Sequence, residues 1–188
     1  MRSVFFVRPE AAELDQRLVG FGAWVGVWLP AAIACGVIAC ESTEAMGAAH
    51  TSAWLRPIFE SVLGRLSDPT WELVHHLLRK TGHFVGYGAV CLTFLRGWLL
   101  TLARKARLKT WAWHLRSSWL AVLSTFVVAS CDEIHQAFVP GRTGTPWDVL
   151  LDTCGAVVVC AALWLLFWRK PDEQARARRR LLRRRSQV

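Results

Sequence analysis

From Cys131 to Arg142 the chain reads Cys-Asp-Glu-Ile-His-Gln-Ala-Phe-Val-Pro-Gly-Arg, at the end of a run, Ser117 to Cys131, that carries no charge. Carboxyls and imidazoles are the groups that exchange protons or ligate metals near neutral pH, and a guanidinium grips phosphate or carboxylate through its planar fork. On a solvated helix end such a cluster is ordinary. After an uncharged run long enough to be embedded in a membrane, each ionisable group is costly and has to be paired or put to use.

Two other stretches supply partners. Lys80, His83 and Tyr87 are spaced i, i+3, i+7 and share one face of a helix. Asp148, Asp152 and Gly155 follow i, i+4, i+7, with Asp152 about 6 Å deeper along the axis than Asp148. On the same reasoning Asp132, His135 and Gln136 share a face, and Glu133 points about 100° away. Lys80 and Arg142 are therefore expected to bridge to Asp132, Glu133, Asp148 and Asp152, with His83 and His135 able to add charge. The small pair Gly82 and Gly86 is expected to admit a neighbouring helix.

The elements that must position these groups are apolar and long. Phe21 to Cys40 has no Asp, Glu, Lys, Arg or His, Phe84 to Ala103 has only Arg96, and Thr153 to Trp168 has none. Such runs span a hydrocarbon core about 30 Å thick at about 1.5 Å per residue. The expected fold class is all-α: an integral membrane bundle of four transmembrane helices over about 21–40, 84–103, 118–138 and 149–168. It is preceded by a mixed-charge segment, 1–20, and followed by a basic tail, 169–188. Pro30 is expected to kink the first span, and Arg96 to reach for the headgroups. Trp24 and Trp28 near the first span, and Trp111, Trp113 and Trp119 near the third, are expected at the membrane interface.

Between the first two spans, Trp54, Leu55, Ile58, Phe59, Val62, Leu63 and Leu66 repeat at helical spacing. This predicts an amphipathic helix with Pro57 in its first turn. Asp68-Pro69 predicts the N-cap and N1 of a second short helix carrying Leu73, Val74, Leu77 and Leu78. Both are too short and polar to span and should lie in the interface as a lid or collar.

The net charge of +9 would suit a nucleic-acid partner, but residues 169–188 hold nine Lys/Arg against two acids. A polybasic run directly after a span is explained by anionic lipid headgroups, so membrane lipids, and no nucleic acid, are the expected partners. With four spans, seventeen Lys/Arg fall on one side and five on the other. The positive-inside rule then puts both termini in the cytoplasm and gathers the polar groups at the outer face. The six cysteines fit no metal spacing and are read as small buried residues, with a Cys131–Cys154 disulfide as a weaker alternative. Val37-Ile38-Ala39-Cys40 resembles a lipobox, but the acidic residues and long lead before it argue against a cleaved lipoprotein signal.

The ordered set Lys80-x-x-His83-Phe84-x-x-Tyr87, Asp132-Glu133-x-x-Gln136-x-Phe138-x-Pro140-Gly141-Arg142, Asp148 and Gly155 resembles the VanZ-like family. The likeness is close over about Lys80 to Gly155 and weaker in the first span and at Ser42. The family often has Asn where this chain has Asp152, so a possible negative charge is added here. The resemblance implies a small multi-helix protein of the bacterial cytoplasmic membrane, some members being linked to teicoplanin resistance. A lipid-linked cell-wall precursor is then a fitting partner.

No HExxH, GxSxG or P-loop pattern is present. The spacing assigns no catalytic residue, no metal ligand set and no cofactor. A non-enzymatic membrane protein is the first expectation. Its alternatives are a metal-dependent intramembrane hydrolase or phosphotransferase on a lipid-linked substrate, and a transporter-like proton or ion relay.

Overall fold

The computed structural model describes residues 4–5, 8–9, 20–103 and 108–168, and among them every regular element is helical. In order these are α1 (Phe21–Glu41), a 3-10 turn (Glu44–Met46), α2 (Ala48–Leu63), α3 (Asp68–Ala103), α4 (Thr110–Gln136) and α5 (Pro146–Leu163), which widens into a π turn (Trp164–Trp168). Four of them, α1, α3, α4 and α5 with its π turn, are long and apolar enough to cross a membrane. The chain is a multi-pass membrane protein. The basic tail and most of the N-terminal segment lie outside the described residues.

Three expectations fail in the connection after α1. No separate helix stands at Asp68 to Leu78: α3 runs unbroken for 36 residues, about 54 Å at the helical rise and well beyond the hydrocarbon thickness. Gly82 is the weak helix former in the join, and one glycine costs about 1 kcal/mol, too little to stop a helix with packing on both sides of it. Its cap is also one residue earlier than expected, since the Ser67 hydroxyl accepts from the Thr70 N–H at 3.4 Å. Pro57 lies deep inside α2, which starts at Ala48 rather than near Trp54.

The first ten or so residues of α3 project as an overhang, and α2 is clamped to it. The Trp71 indole donates to Ser52 Oγ at 2.7 Å, Thr51 Oγ1 meets His75 Nε2 at 3.0 Å, and Arg56 reaches both Glu60 (2.9 Å) and Asp68 (2.8 Å). Trp54, Ile58 and Val62 stay exposed on one stripe of α2, the pattern of a helix lying in an interface.

Helix α3 is the central element, in contact with α1, α4 and α5. One buried cluster joins Cys91, Leu95 and Leu99 of α3 to Trp113 and Ala121 of α4 and Ala156 and Cys160 of α5. The close helix approach is not at Gly82 or Gly86, where an added methyl would meet nothing within 4 Å. It is at Gly155, where a methyl would overlap the Phe84 carbonyl oxygen, and at Gly88, where one would sit 3.1 Å from Val159 Cγ2. Outward positions such as Trp119, Leu123 and Val127 of α4 and Leu150, Val157 and Val158 of α5 remain exposed, as lipid-facing residues must.

Three expectations about side chains are corrected. Trp113 is fully buried, its indole donating to the Leu99 carbonyl at 2.9 Å, and is a core residue instead of an interfacial anchor. Arg96 turns to α1, where it donates to the carbonyls of Val27 (3.0 Å) and Gly26 (3.4 Å). Pro30 has no N–H to offer Gly26 four residues before it, so the guanidinium fills a vacancy that the proline creates. All six cysteines are free, Cys131 and Cys154 both being exposed, while Cys91 and Cys160 have sulfurs 3.7 Å apart in the core.

Candidate functional site

The ends of α1 and α4, the start of α5 and the middle of α3 meet at one end of the bundle, and three layers of polar side chains are built there. The innermost is centred on Asp132. Its Oδ2 accepts from Tyr87 OH and from Gln136 Nε2, each at 2.8 Å. Its Oδ1 accepts from the Ser42 hydroxyl, which also lies 2.8 Å from the Ile38 carbonyl. Asp132, Tyr87, Ser42 and Gln136 are all buried. One carboxyl group thus ties α1, α3 and α4 together through neutral donors, and Ser42 is placed for this by a backbone turn that ends α1.

The second layer is His83, Glu133 and Asp152, one from each of α3, α4 and α5. Asp152 is fully buried, and neither of its oxygens has a hydrogen-bond partner among the described residues. His83 Nδ1 stands 3.6 Å from Asp152 Oδ1. Glu133 Oε2 accepts from the Thr145 N–H at 2.9 Å, which holds the α4–α5 loop at the cap of α5. The Thr145 hydroxyl in turn accepts from the Asp148 N–H at 3.2 Å, with Pro146 in the first turn where its missing N–H costs nothing.

The third layer holds the basic residues of the head and faces a cavity of about 320 Å³ whose walls include Glu72, His75, His76, Arg79, Lys80, Arg142 and Asp148. Lys80 pairs with Asp148 as expected. Among the described residues Arg142 bridges to no carboxylate: it donates to the main-chain carbonyl of Glu41. The cause is the left-handed turn at Gly141 (φ 73°), which follows the end of α4 at Gln136 and swings Arg142 towards the end of α1. Arg142 Nε and Arg79 Nη1 are buried with no hydrogen-bond partner among the described residues.

Nine of the ten expected residues therefore gather at this head: Lys80, His83, Tyr87, Asp132, Glu133, Gln136, Arg142, Asp148 and Asp152. His135 does not. It is exposed, together with Ile134 and Phe138. The inward face of α4 runs through Thr125, Ala129, Asp132, Glu133 and Gln136, and at about 100° per residue Asp132 and Glu133 lie about 50° to either side of its midline, whereas His135 lies more than a quarter turn off it. Reading Asp132 as the centre of that face rotates the helix too far.

Arg79, His75 and His76 are additions that the residue pattern did not single out. Their signal was the spacing Glu72, His75/His76, Arg79, His83, which continues one face across the join between two supposedly separate helices. Seen as one helix, it delivers these residues to the same cavity.

The arrangement can hold an anion at its rim and a cation beneath it, and its Asp132 layer is a structural lock. No curated protein and no solved structure matches the chain. The sequence does match a family profile, VanZ/LLP1, over residues 21–168, a range that begins with α1 and ends with the π turn after α5. With the whole helical bundle and its polar head inside that match, the chain belongs to the VanZ/LLP1 family.

Proposed function

We propose that the cavity at the polar head binds the phosphate-bearing headgroup of a membrane lipid at the outer face of the cytoplasmic membrane, the fitting class being a polyprenyl-phosphate-linked cell-wall precursor. The observation that carries this reading is the pair of guanidinium groups, Arg79 and Arg142, with buried N–H groups that no described protein atom satisfies, on the wall of a 320 Å³ cavity. A buried donor without a partner costs about 1–3 kcal/mol, and a phosphate oxygen is the acceptor that a guanidinium fork fits best. Glu72 shares the cavity wall and opposes an anion there, but the other carboxylates do not. Asp132 is occupied by three neutral donors, Asp148 is paired with Lys80, and Glu133 and Asp152 lie beneath. The charge bias of the loops supports the outer-face placement.

In this reading the protein captures a lipid-linked intermediate without transforming it, and so alters how exposed that intermediate is to glycopeptides of the teicoplanin type. The test is binding of a fluorescent polyprenyl phosphate to the full chain in nanodiscs. Arg142→Ala and Arg79→Ala should each weaken binding by about tenfold, in keeping with about 1.4 kcal/mol for a charge-assisted contact, and the uncharged polyprenol should bind no better than background. Equal binding of phosphate and alcohol would refute the site. A susceptibility panel with matched protein levels links it to teicoplanin. Reporter fusions after Ala48 and after Arg142 read the topology, and cytoplasmic signals at both would overturn the outer placement.

A further inference from the structure

We propose that His83, Glu133 and Asp152 form a binding site for one divalent transition-metal ion of the Zn²⁺ or Mn²⁺ kind, at the floor of the cavity and with an open coordination position facing it. The ligating atoms of the three side chains, one nitrogen and two carboxylate oxygens, all lie within 4.8 Å of one another. At metal–ligand distances of about 2.0–2.2 Å a tetrahedral ion would hold them about 3.4 Å apart, so small side-chain rotations close the site without moving a helix. Spacing along the chain does not reveal it, because the three residues come from three helices and share no motif.

A second, independent observation is Asp152 itself. It is fully buried, neither of its oxygens has a hydrogen-bond partner among the described residues, and it points at the group formed with His83 and Glu133. A carboxylate in that state inside a membrane domain requires a counter-charge. An imidazolium at His83, 3.6 Å from Asp152 Oδ1, answers one carboxylate and leaves Glu133 with the Thr145 N–H alone. A divalent ion with neutral His83 answers both. The hydrogen bond from Thr145 occupies Glu133 Oε2 and fixes the carboxyl, which leaves Oε1 for the ion, as supporting bonds to metal-ligating carboxylates commonly do.

The donor set selects the metal. Imidazole nitrogen disfavours Ca²⁺, which takes six to eight oxygens, and Mg²⁺, which keeps most of its water. One nitrogen and two carboxylates suit Zn²⁺ or Mn²⁺, and three protein ligands leave a position free. His83 and Glu133 both line the cavity, so that position opens towards Arg79 and Arg142 on its wall, where it accepts water or an oxygen of a bound anion.

The test needs no lipid ligand, so its outcome is separate from that of the headgroup reading. The full chain, purified in detergent and stripped with chelator, is titrated with Zn²⁺ and with Mn²⁺, desalted and assayed by elemental analysis, and Co²⁺ is added to read its visible absorption. One ion per chain is expected. Asp152→Asn and His83→Gln should each weaken binding by on the order of 100-fold, the upper end of what loss of a supporting residue costs, while His135→Ala should leave it unchanged. Monodispersity and metal-free melting report folding, and His83→Gln decides if Asp152→Asn does not fold. Absence of stoichiometric metal in the folded wild type overturns the site, as does binding that survives both ligand substitutions. Binding lost in His135→Ala overturns it too, since the ion would then lie on the exposed face of α4.

Discussion

Replacing Tyr87 with Phe removes one oxygen and nothing else from the fully buried innermost layer. The deleted hydroxyl donates to Asp132 Oδ2 at 2.8 Å. A hydrogen bond to a charged group is worth about 1.5–3 kcal/mol. Asp132 keeps the Ser42 and Gln136 donors, so the carboxylate is not orphaned and the cost should stay near about 2 kcal/mol. Asp132→Ala is harsher. It strands the Tyr87 hydroxyl and the Gln136 amide away from water, at about 1–3 kcal/mol each, whereas Ser42 falls back on the Ile38 carbonyl, so about 4 kcal/mol is expected. Thermal unfolding of the purified chain reads both, since 1 kcal/mol moves the midpoint of a chain this size by about 2–4 °C. The drops should be about 4–8 °C for Tyr87→Phe and about twice that for Asp132→Ala. The decisive figure is the double variant. With Tyr87→Phe already in place no hydroxyl is left to strand, so the pair should cost less than the sum by about 2 kcal/mol. A cycle additive within about 0.5 kcal/mol, or a Tyr87→Phe chain that melts with the wild type, would refute Asp132 as the knot between α1, α3 and α4.

Glycines at two kinds of position should respond in opposite directions. Gly155→Ala meets the Phe84 carbonyl, which cannot rotate away, and should destabilise by about 3 kcal/mol, whereas Gly82→Ala enters open space in a helix interior and should stabilise by about 0.5–1 kcal/mol. Melting of the two single variants checks this, and equal midpoints would deny the α3–α5 crossing. Arg96→Leu should lower the midpoint by loosening α1 from α3, and Pro30→Ala in the same chain should restore part of the loss by supplying Gly26 with a backbone N–H. A Pro30→Ala change with no effect on the Arg96→Leu loss would separate the two. In the α2–α3 clamp, the Arg56 guanidinium beside Glu60 holds that carboxyl below its usual range. The pair therefore contributes above the ordinary carboxylate pKa of about 4.3 and is lost as pH falls through the depressed value. An acid titration followed by tryptophan fluorescence should show a transition below pH about 4.3 that Glu60→Gln abolishes.

Much of the fold was legible because bilayer thickness and helical rise leave few alternatives. Uncharged runs of about twenty residues mark spans whatever they pack against. The join from Leu78 to Phe84 was not, because composition changes there from amphipathic to apolar while the backbone continues unchanged, and hydropathy alone cannot separate a helix that leaves the membrane from one that stops. Trp113 and Arg96 mislead for a related reason. Tryptophan and arginine near a span end are interfacial on average, but a backbone carbonyl nearby, that of Leu99 or the one Pro30 leaves free at Gly26, gives each a better partner inside. In the site, residue identity was readable and rotation was not. The side on which Glu133 and His135 fall depends on where the neighbours of α4 stand, which no local spacing records.

The motif that opens this chemistry divides once its partners are known. Asp132 and Gln136 serve one another and the Tyr87 and Ser42 hydroxyls, so half of the motif holds helices together. Glu133, the next residue, turns to the opposite flank of the same face and joins His83 and the unpartnered Asp152, while Arg142 past the turn caps the end of α1 and lends its spare N–H to the cavity. A carboxylate saturated by neutral donors resists both anions and cations, and one with a single backbone donor or none attracts a cation. The two adjacent carboxyls of the chain, alike to a composition count, are thereby given different work by about 100° of helical rotation. Substitution at Asp132 should accordingly be felt first in stability, and substitution at Asp152 first in metal affinity.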